Sequence, residues 1–163
     1  MNITEIRERY LEFMKEKGHN IVLSASLVPE NDATTLFVSA GMQPMINYLL
    51  RKKYSNGNRV SNSQKCFRSQ DIDEIGDNRH TTFFEMLGNW SFGDYFKKEQ
   101  INWIFEFLTN KEKGLGLDKK NLFFTCYIGN KNLNIDKDID SKNLWIENGI
   151  DENKIFFYDE KKN

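Results

Sequence analysis

The chain has 163 residues, the size of one ordinary domain. Hydrophobic residues make up 39% and aromatics 13%, with Phe at 13 copies, which excludes a disordered tail and requires a buried core. Lys plus Arg number 23 against 24 Asp plus Glu, a net charge of -1, so a globally basic nucleic-acid coat is excluded while a local arginine site is not.

Asn2-Ile3-Thr4-Glu5 has the spacing of a helix start, with Asn2 as cap and Glu5 reaching back. Ile3, Ile6, Tyr10 and Met14 follow at helical spacing, joined by Leu11 and Phe13, and Gly18 is the expected stop. Residues 20–23 and 24–29 read as short extended pieces ending at Pro29, and Leu36-Phe37-Val38 as another strand. Met42, Met45, Ile46 and Leu49 suit a short helix with Pro44 in its first turn, and Lys52 to Asn58 is loop. Arg59 to Arg68 reads as a strand, Ser69 to Asn78 as a polar, acidic connection, and His80 to Leu87 as a β-branched and aromatic strand. Together they predict an antiparallel pair with a long connection of the kind that carries function. Gly88 to Gly93 is expected to turn the chain. Lys97 to Thr109 is expected to be a helix with Ile101, Ile104, Phe105 and Leu108 on one face. Leu122 to Ile128 reads as a strand, Asn130 to Ser141 as a surface loop, Leu144 and Ile146 as part of a short helix, and Ile155 to Tyr158 as a last strand.

Few residues could carry chemistry. His19 and His80 are the only histidines, too few donors for a metal centre. Cys66 and Cys126 make no disulfide framework and no CxxC pair, and Cys66 reads as a buried thiol. No GxSxG, GxxxxGK[ST] or GxGxxG is present, and Gly114 and Gly116 read as a turn. No apolar run is long enough to cross a bilayer and the start has no signal-peptide pattern, so a soluble, reducing, cytoplasmic setting is expected. Arg68 closes one predicted strand and Arg79 opens the next. Two guanidinium groups at the mouth of one hairpin form a fork for phosphate or carboxylate oxygens, with Phe83-Phe84 behind them as a stacking surface. The competing reading makes both arginines surface partners of Asp71, Asp73, Glu74 and Asp77.

Ser63-Gln64-Lys65-Cys66-Phe67-Arg68, followed by the block from Asp77-Asn78-Arg79-His80 through Phe83-Phe84-Glu85-Met86-Leu87-Gly88-Asn89-Trp90-Ser91-Phe92-Gly93-Asp94-Tyr95-Phe96-Lys97, resembles the alanyl-tRNA synthetases. Lys17-Gly18-His19, Ser26-Leu27-Val28-Pro29, Asn31-Asp32 and Ala40-Gly41-Met42 are similar to the start of the same family. The resemblance runs from the first helix to Thr109 and more weakly through Leu122 to Tyr127. It implies an α+β fold of the class II aminoacyl-tRNA synthetases, a mostly antiparallel sheet flanked by helices. It implies a ligase that activates L-alanine with ATP and transfers it to the 3' end of tRNA(Ala), with Mg2+ carried on the ATP phosphates and no membrane partner. Arg68 would contact the ATP α-phosphate and the amino-acid carboxylate. Phe84, or less readily its neighbour Phe83, would stack adenine. Arg79 would make a secondary phosphate contact, and Met86 would belong to the same ATP site.

The sequence departs from that family in two ways. The loop after Arg68, Ser69-Gln70-Asp71-Ile72-Asp73-Glu74-Ile75-Gly76, is short and acidic, so the family's loop lysine has no carrier, and Gln70 stands where other class members carry an acid. The family's third motif, alanine pocket, tRNA-recognition and editing regions, and any zinc site, are expected beyond residue 163. Residues 1–163 are therefore expected to be the N-terminal part of a class II catalytic domain. The alternative is a non-catalytic truncated paralogue that binds nucleotide or a tRNA acceptor end.

Overall fold

A computed structural model describes residues 1–29, 35–50, 53–70 and 72–159. Asn31, Asp32, Lys52, Asp71 and residues 160–163 lie outside the described residues. The chain divides into a unit from Met1 to Asp94 and a second from Tyr95 onward.

The first unit opens with α1 (Ile3–Glu16), started by the capping box read from the sequence: Glu5 N–H donates to Asn2 Oδ1 at 2.9 Å and Asn2 N–H to Glu5 Oε2 at 3.0 Å. Gly18, at φ +84°, ends it, and His19 N–H returns to the Met14 carbonyl at 3.1 Å. Tyr10, Phe13 and Met14 are buried, whereas Ile3, expected on the same stripe, is 74% exposed. The strand β1 (Asn20–Ile21) is two residues long. Residues 36–38 form no strand, contrary to expectation, and residues 24–29 also lie outside the strands. Their backbone groups bond one another and the sheet instead: Val38 N–H donates to the Leu27 carbonyl at 2.8 Å and Phe67 N–H to the Val38 carbonyl at 2.9 Å. Val38 is buried although it lies in irregular chain. A 3-10 turn over Gln43–Met45, with Pro44 inside it, leads into the short α2 (Ile46–Leu49).

The long strands are β2 (Arg59–Phe67) and β3 (Phe83–Ser91), antiparallel with Cys66 opposite Phe84, Gln64 opposite Met86 and Asn62 opposite Gly88. β1 pairs with β2 in parallel, so the sheet order is β1-β2-β3. β3 differs from its predicted bounds. It begins at Phe83, not His80, and runs through Gly88, where a turn was expected. A strand accepts an interior glycine where another side chain fills the space, and here a Cβ on Gly88 would meet the Trp90 ring at 2.7 Å.

Period two sorts the strands into faces. One face, with Lys65, Ser63, Glu85 and Asn89, meets α1: Arg7 grips Glu85 through Nε at 2.5 Å and Nη2 at 2.6 Å, Ser63 Oγ donates to Glu85 at 2.6 Å, and Tyr10 OH donates to Asn89 Oδ1 at 3.0 Å. The other carries Val60, Asn62, Gln64 and Cys66 beside Phe84, Met86, Gly88 and Trp90. Gln64 is fully buried and acts as a backbone surrogate, accepting from Ala25 N–H at 2.9 Å and donating to the Ala25 carbonyl at 3.2 Å. This is why β2 alternates weakly: polar side chains on its buried face tie down coil.

The second unit contains α3 (Lys97–Thr109), β4 (Phe124–Tyr127), α4 (Ile139–Glu147) and β5 (Ile155–Tyr158). α3 has its predicted bounds, although Phe107, outside the predicted stripe, is buried with Ile101. β4 and β5 are parallel with α4 as the crossover, not antiparallel, so the fold is α+β with both kinds of pairing. The core joins Ile101, Phe124, Cys126, Trp145, Ile150 and Ile155, with Phe124 and Trp145 ring centroids 4.1 Å apart. Trp145, between the expected Leu144 and Ile146, is the buried apolar residue of α4, with Ser141 its buried polar one. No helix among the described residues is long and apolar enough to cross a membrane.

Candidate active site

Arg68 stands one residue beyond β2, where its N–H still donates to the Thr82 carbonyl at 2.8 Å and so prolongs the ladder by one step. That bond fixes the backbone from which the side chain leaves. The guanidinium then makes two contacts. Nε donates to the Ser39 carbonyl at 2.9 Å, and the group's central carbon lies 5.1 Å from the centroid of the Phe84 ring. Cation and ring face attract through the ring quadrupole. Among the described residues no carboxylate bonds Arg68, and the guanidinium is held through Nε by the neutral Ser39 carbonyl. The surface ion-pair reading therefore does not hold for Asp73, Glu74 or Asp77, and Asp71 lies outside the described residues.

The acids of the connection have another partner. Asp77 Oδ1 accepts from the N–H groups of Arg79 at 2.8 Å and His80 at 2.7 Å, while His80 Nδ1 lies 2.7 Å from Asp77 Oδ2 and Nε2 lies 3.1 Å from Glu74. Bonds from the His80 and Arg79 backbone, then from the His80 ring, hold the Asp77 carboxyl below the usual carboxylate range. Arg79 thus sits within this loop and does not open β3. The expected fork of two strand-end arginines is replaced by Arg68 at a strand end and Arg79 on a cross-linked loop, its guanidinium bonded to no carboxylate among the described residues.

Of the two phenylalanines, Phe84 lies half-buried beside Arg68, and Phe83 faces the other side, 51% exposed. Neither ring is fully buried, and β3 is an edge strand of the three-stranded sheet among the described residues. Met86 follows Phe84 on the same face, and its Sδ accepts the Gly41 N–H at 3.1 Å. Cys66, opposite Phe84, is fully buried, and burial pushes its thiol up, against the pull of the Arg68 charge. His19 is likewise buried, its ring nitrogen 3.0 Å from the Met14 carbonyl, with burial as the main force keeping it neutral.

Ser39, Gln43 and Trp90 shape this face without having been singled out by the sequence. Ser39 acts through its carbonyl and Gln43 through bonds to backbone, so neither has a periodic or motif signature. Trp90, which donates from Nε1 to Asn62 Oδ1 at 3.3 Å, lay in the stretch read as a turn.

Alanine–tRNA ligases of several organisms are similar to the chain. The alanine–tRNA ligase of Treponema denticola is 47% identical over all 163 residues, which make up 27% of that protein. That of Rubrobacter xylanophilus is 46% identical over the whole chain and 18% of its own length. That of Carboxydothermus hydrogenoformans is 50% identical over 125 residues, 76% of this chain and 14% of that protein. The chain thus spans about a quarter of the length of the curated relatives it matches, or less. The family described as tRNA synthetases class II (A) matches residues 5–163, nearly the entire chain, including the antiparallel pair that sets Arg68 over Phe84. The chain belongs to that family, the class II (A) tRNA synthetases.

Proposed function

We propose that residues 1–163 are the N-terminal part of the class II catalytic domain of an alanine–tRNA ligase, with Arg68 as the residue that joins its two small substrates. The observation that carries this reading is the placement of Arg68: anchored at Nε by a neutral carbonyl, backed by the Phe84 ring, and paired with no acid among the described residues. A planar, permanently charged donor is suited to bridge two anions. In the first step the alanine carboxylate oxygen attacks the α-phosphorus of ATP. A new P–O bond forms, the bond to the β-phosphate oxygen breaks, and pyrophosphate leaves. Arg68 holds both reactants and stabilises the charge that builds on the α-phosphate oxygens. In the second step the terminal ribose hydroxyl of tRNA(Ala) attacks the alanyl carbonyl and AMP leaves.

Phe84 offers its ring to adenine, Met86 lines the same face, and Arg79 reaches phosphate from the loop. Among the described residues no three His, Cys, Asp or Glu side chains converge as a metal cage. Mg2+ would arrive on the ATP phosphates, where it would neutralise charge on the leaving pyrophosphate.

The test is alanine-dependent exchange of pyrophosphate into ATP, measured with the full polypeptide. Arg68→Ala should lower the rate by a factor of at least about 100, or roughly 3 kcal/mol of transition-state stabilisation. Arg68→Lys should also be poor, because a point charge cannot fork across two groups. Exchange by the alanine variant near the wild-type rate would rule this role out.

A further inference from the structure

The carbonyl that orients Arg68 belongs to the peptide unit between Ser39 and Ala40. Both neighbouring peptide units are fully anchored. In the preceding one, the Val38 carbonyl accepts from Phe67 N–H at 2.9 Å and Ser39 N–H donates to Gln43 Oε1 at 3.1 Å. In the following one, the Ala40 carbonyl accepts from Gln43 N–H at 3.1 Å and Gly41 N–H donates to Met86 Sδ at 3.1 Å. The unit between them has little freedom to rotate, and its oxygen meets Arg68 Nε at 2.9 Å. Gln43 supplies one bond to each flanking unit. Its own amide is steadied from outside the turn, where Nε2 donates to Thr35 Oγ1 at 2.6 Å. The turn also lies close on the sheet: a Cβ on Gly41 would come within 3.2 Å of Met86 Sδ and 3.3 Å of the Trp90 ring.

We propose that Gln43 is a positioning residue for adenylate formation, acting on Arg68 through the Ser39 carbonyl. This rests on the role of Arg68 given above. An acid could hold the guanidinium as firmly, but it would neutralise the charge the reaction needs. A carbonyl holds Nε and leaves the charge intact, so its own position must be secured by other bonds. Gln43 supplies them. Loosening the turn lets the guanidinium swing about its Cδ–Nε bond, and a misplacement of about 1 Å at a reacting centre is costly to the chemical step.

The test uses the full polypeptide and alanine-dependent pyrophosphate exchange at varied ATP. Gln43→Met keeps length and loses the acceptor. It should lower kcat about tenfold with a much smaller change in the KM for ATP. Gln43→Glu keeps an acceptor toward Ser39 N–H and should stay within about twofold of the parent. In an Arg68→Lys background, which lacks the Nε–H, Gln43→Met should cause no further loss. If Gln43→Met fails to fold, Gln43→Asn, one methylene shorter and unable to span to Ser39, carries the same expectation. A Gln43→Met enzyme with the parental kcat, an equal loss in both backgrounds, or a Gln43→Glu variant as slow as Gln43→Met would each overturn the proposal. If Arg68→Lys itself exchanges at the parental rate, the role of Arg68 falls and this one with it. That arm keeps the two failures apart.

Discussion

Two side chains on the Arg68 face of the sheet do opposite things with aromatic rings. Trp90 folds its ring over Gly88, so the glycine is needed for what it lacks: a methyl group there would press on the indole at 2.7 Å. Gly88→Ala should destabilise the first unit by about 1–3 kcal/mol through overpacking and disturb the near-ultraviolet circular dichroism of the indole. Urea unfolding followed at that signal checks it, and an unchanged midpoint would mean that the ring moves aside freely. Phe84 leaves its ring half open under a cation. If adenine shares that ring, Phe84→Leu should raise the KM for ATP more than that for alanine in the exchange assay. Equal rises would make the ring structural.

Between elements, α1 is held to the sheet by named polar contacts. Its start depends on Asn2, and Asn2→Ala should cost about 1 kcal/mol, read as a lower melting temperature. Its lateral hold is the bidentate Arg7–Glu85 pair with Ser63. The Arg7 bond above all, then the Ser63 bond, keeps the Glu85 carboxyl below the usual range, with burial opposing them. The sign follows directly. A carboxyl depressed in the folded state adds stability above its unfolded value of about 4.3 and loses it as pH falls through the folded value. His19 acts in the same direction, because burial lowers it and the unfolded chain takes up a proton first as pH drops below about 6.5. Stability of the first unit should therefore decline in two stages, from about pH 6.5 and again below about pH 4.3. In Glu85→Gln the lower stage should shrink while the upper one remains, as measured by urea midpoints across pH. An unaltered lower stage would locate the acid sensitivity elsewhere.

At the scale of the molecule, the exposed apolar surface stands out. Leu23 is 93% exposed, Leu36 83%, Phe96 76% and Phe123 66%. β1 and β3 are the edges of the three-stranded sheet among the described residues, and Phe84 and Met86 lie on one of them. Open strand edges beside apolar side chains invite association. The relatives carry several times this length of chain. Residues 1–163 alone are thus expected to self-associate on sizing chromatography and to show no alanine-dependent exchange, since preorganised donors act as a unit. A monomer that supports exchange would show that Arg68 and its surroundings suffice.

The sequence by itself determined what short-range forces decide. The capping box at Asn2 and Glu5, the left-handed stop at Gly18 and the span of α3 from Lys97 to Thr109 all depend on neighbours a few residues away, and each lies where its signals put it. The block around Phe83 to Lys97 carried the family resemblance. Tertiary structure alone decided the rest, because the deciding partner is remote. β3 runs past Gly88 because β2 supplies a ladder and Trp90 fills the gap. Residues 36–38 make no strand, and Val38 is instead tied to Leu27 and Phe67, 11 and 29 residues away. β4 and β5 run parallel because α4 returns the chain to the same end of the sheet. The same holds at the candidate site. Arg68 could be singled out by type and place, but its anchor is a main-chain oxygen 29 residues away, and a carbonyl looks alike in every residue until the chain closes.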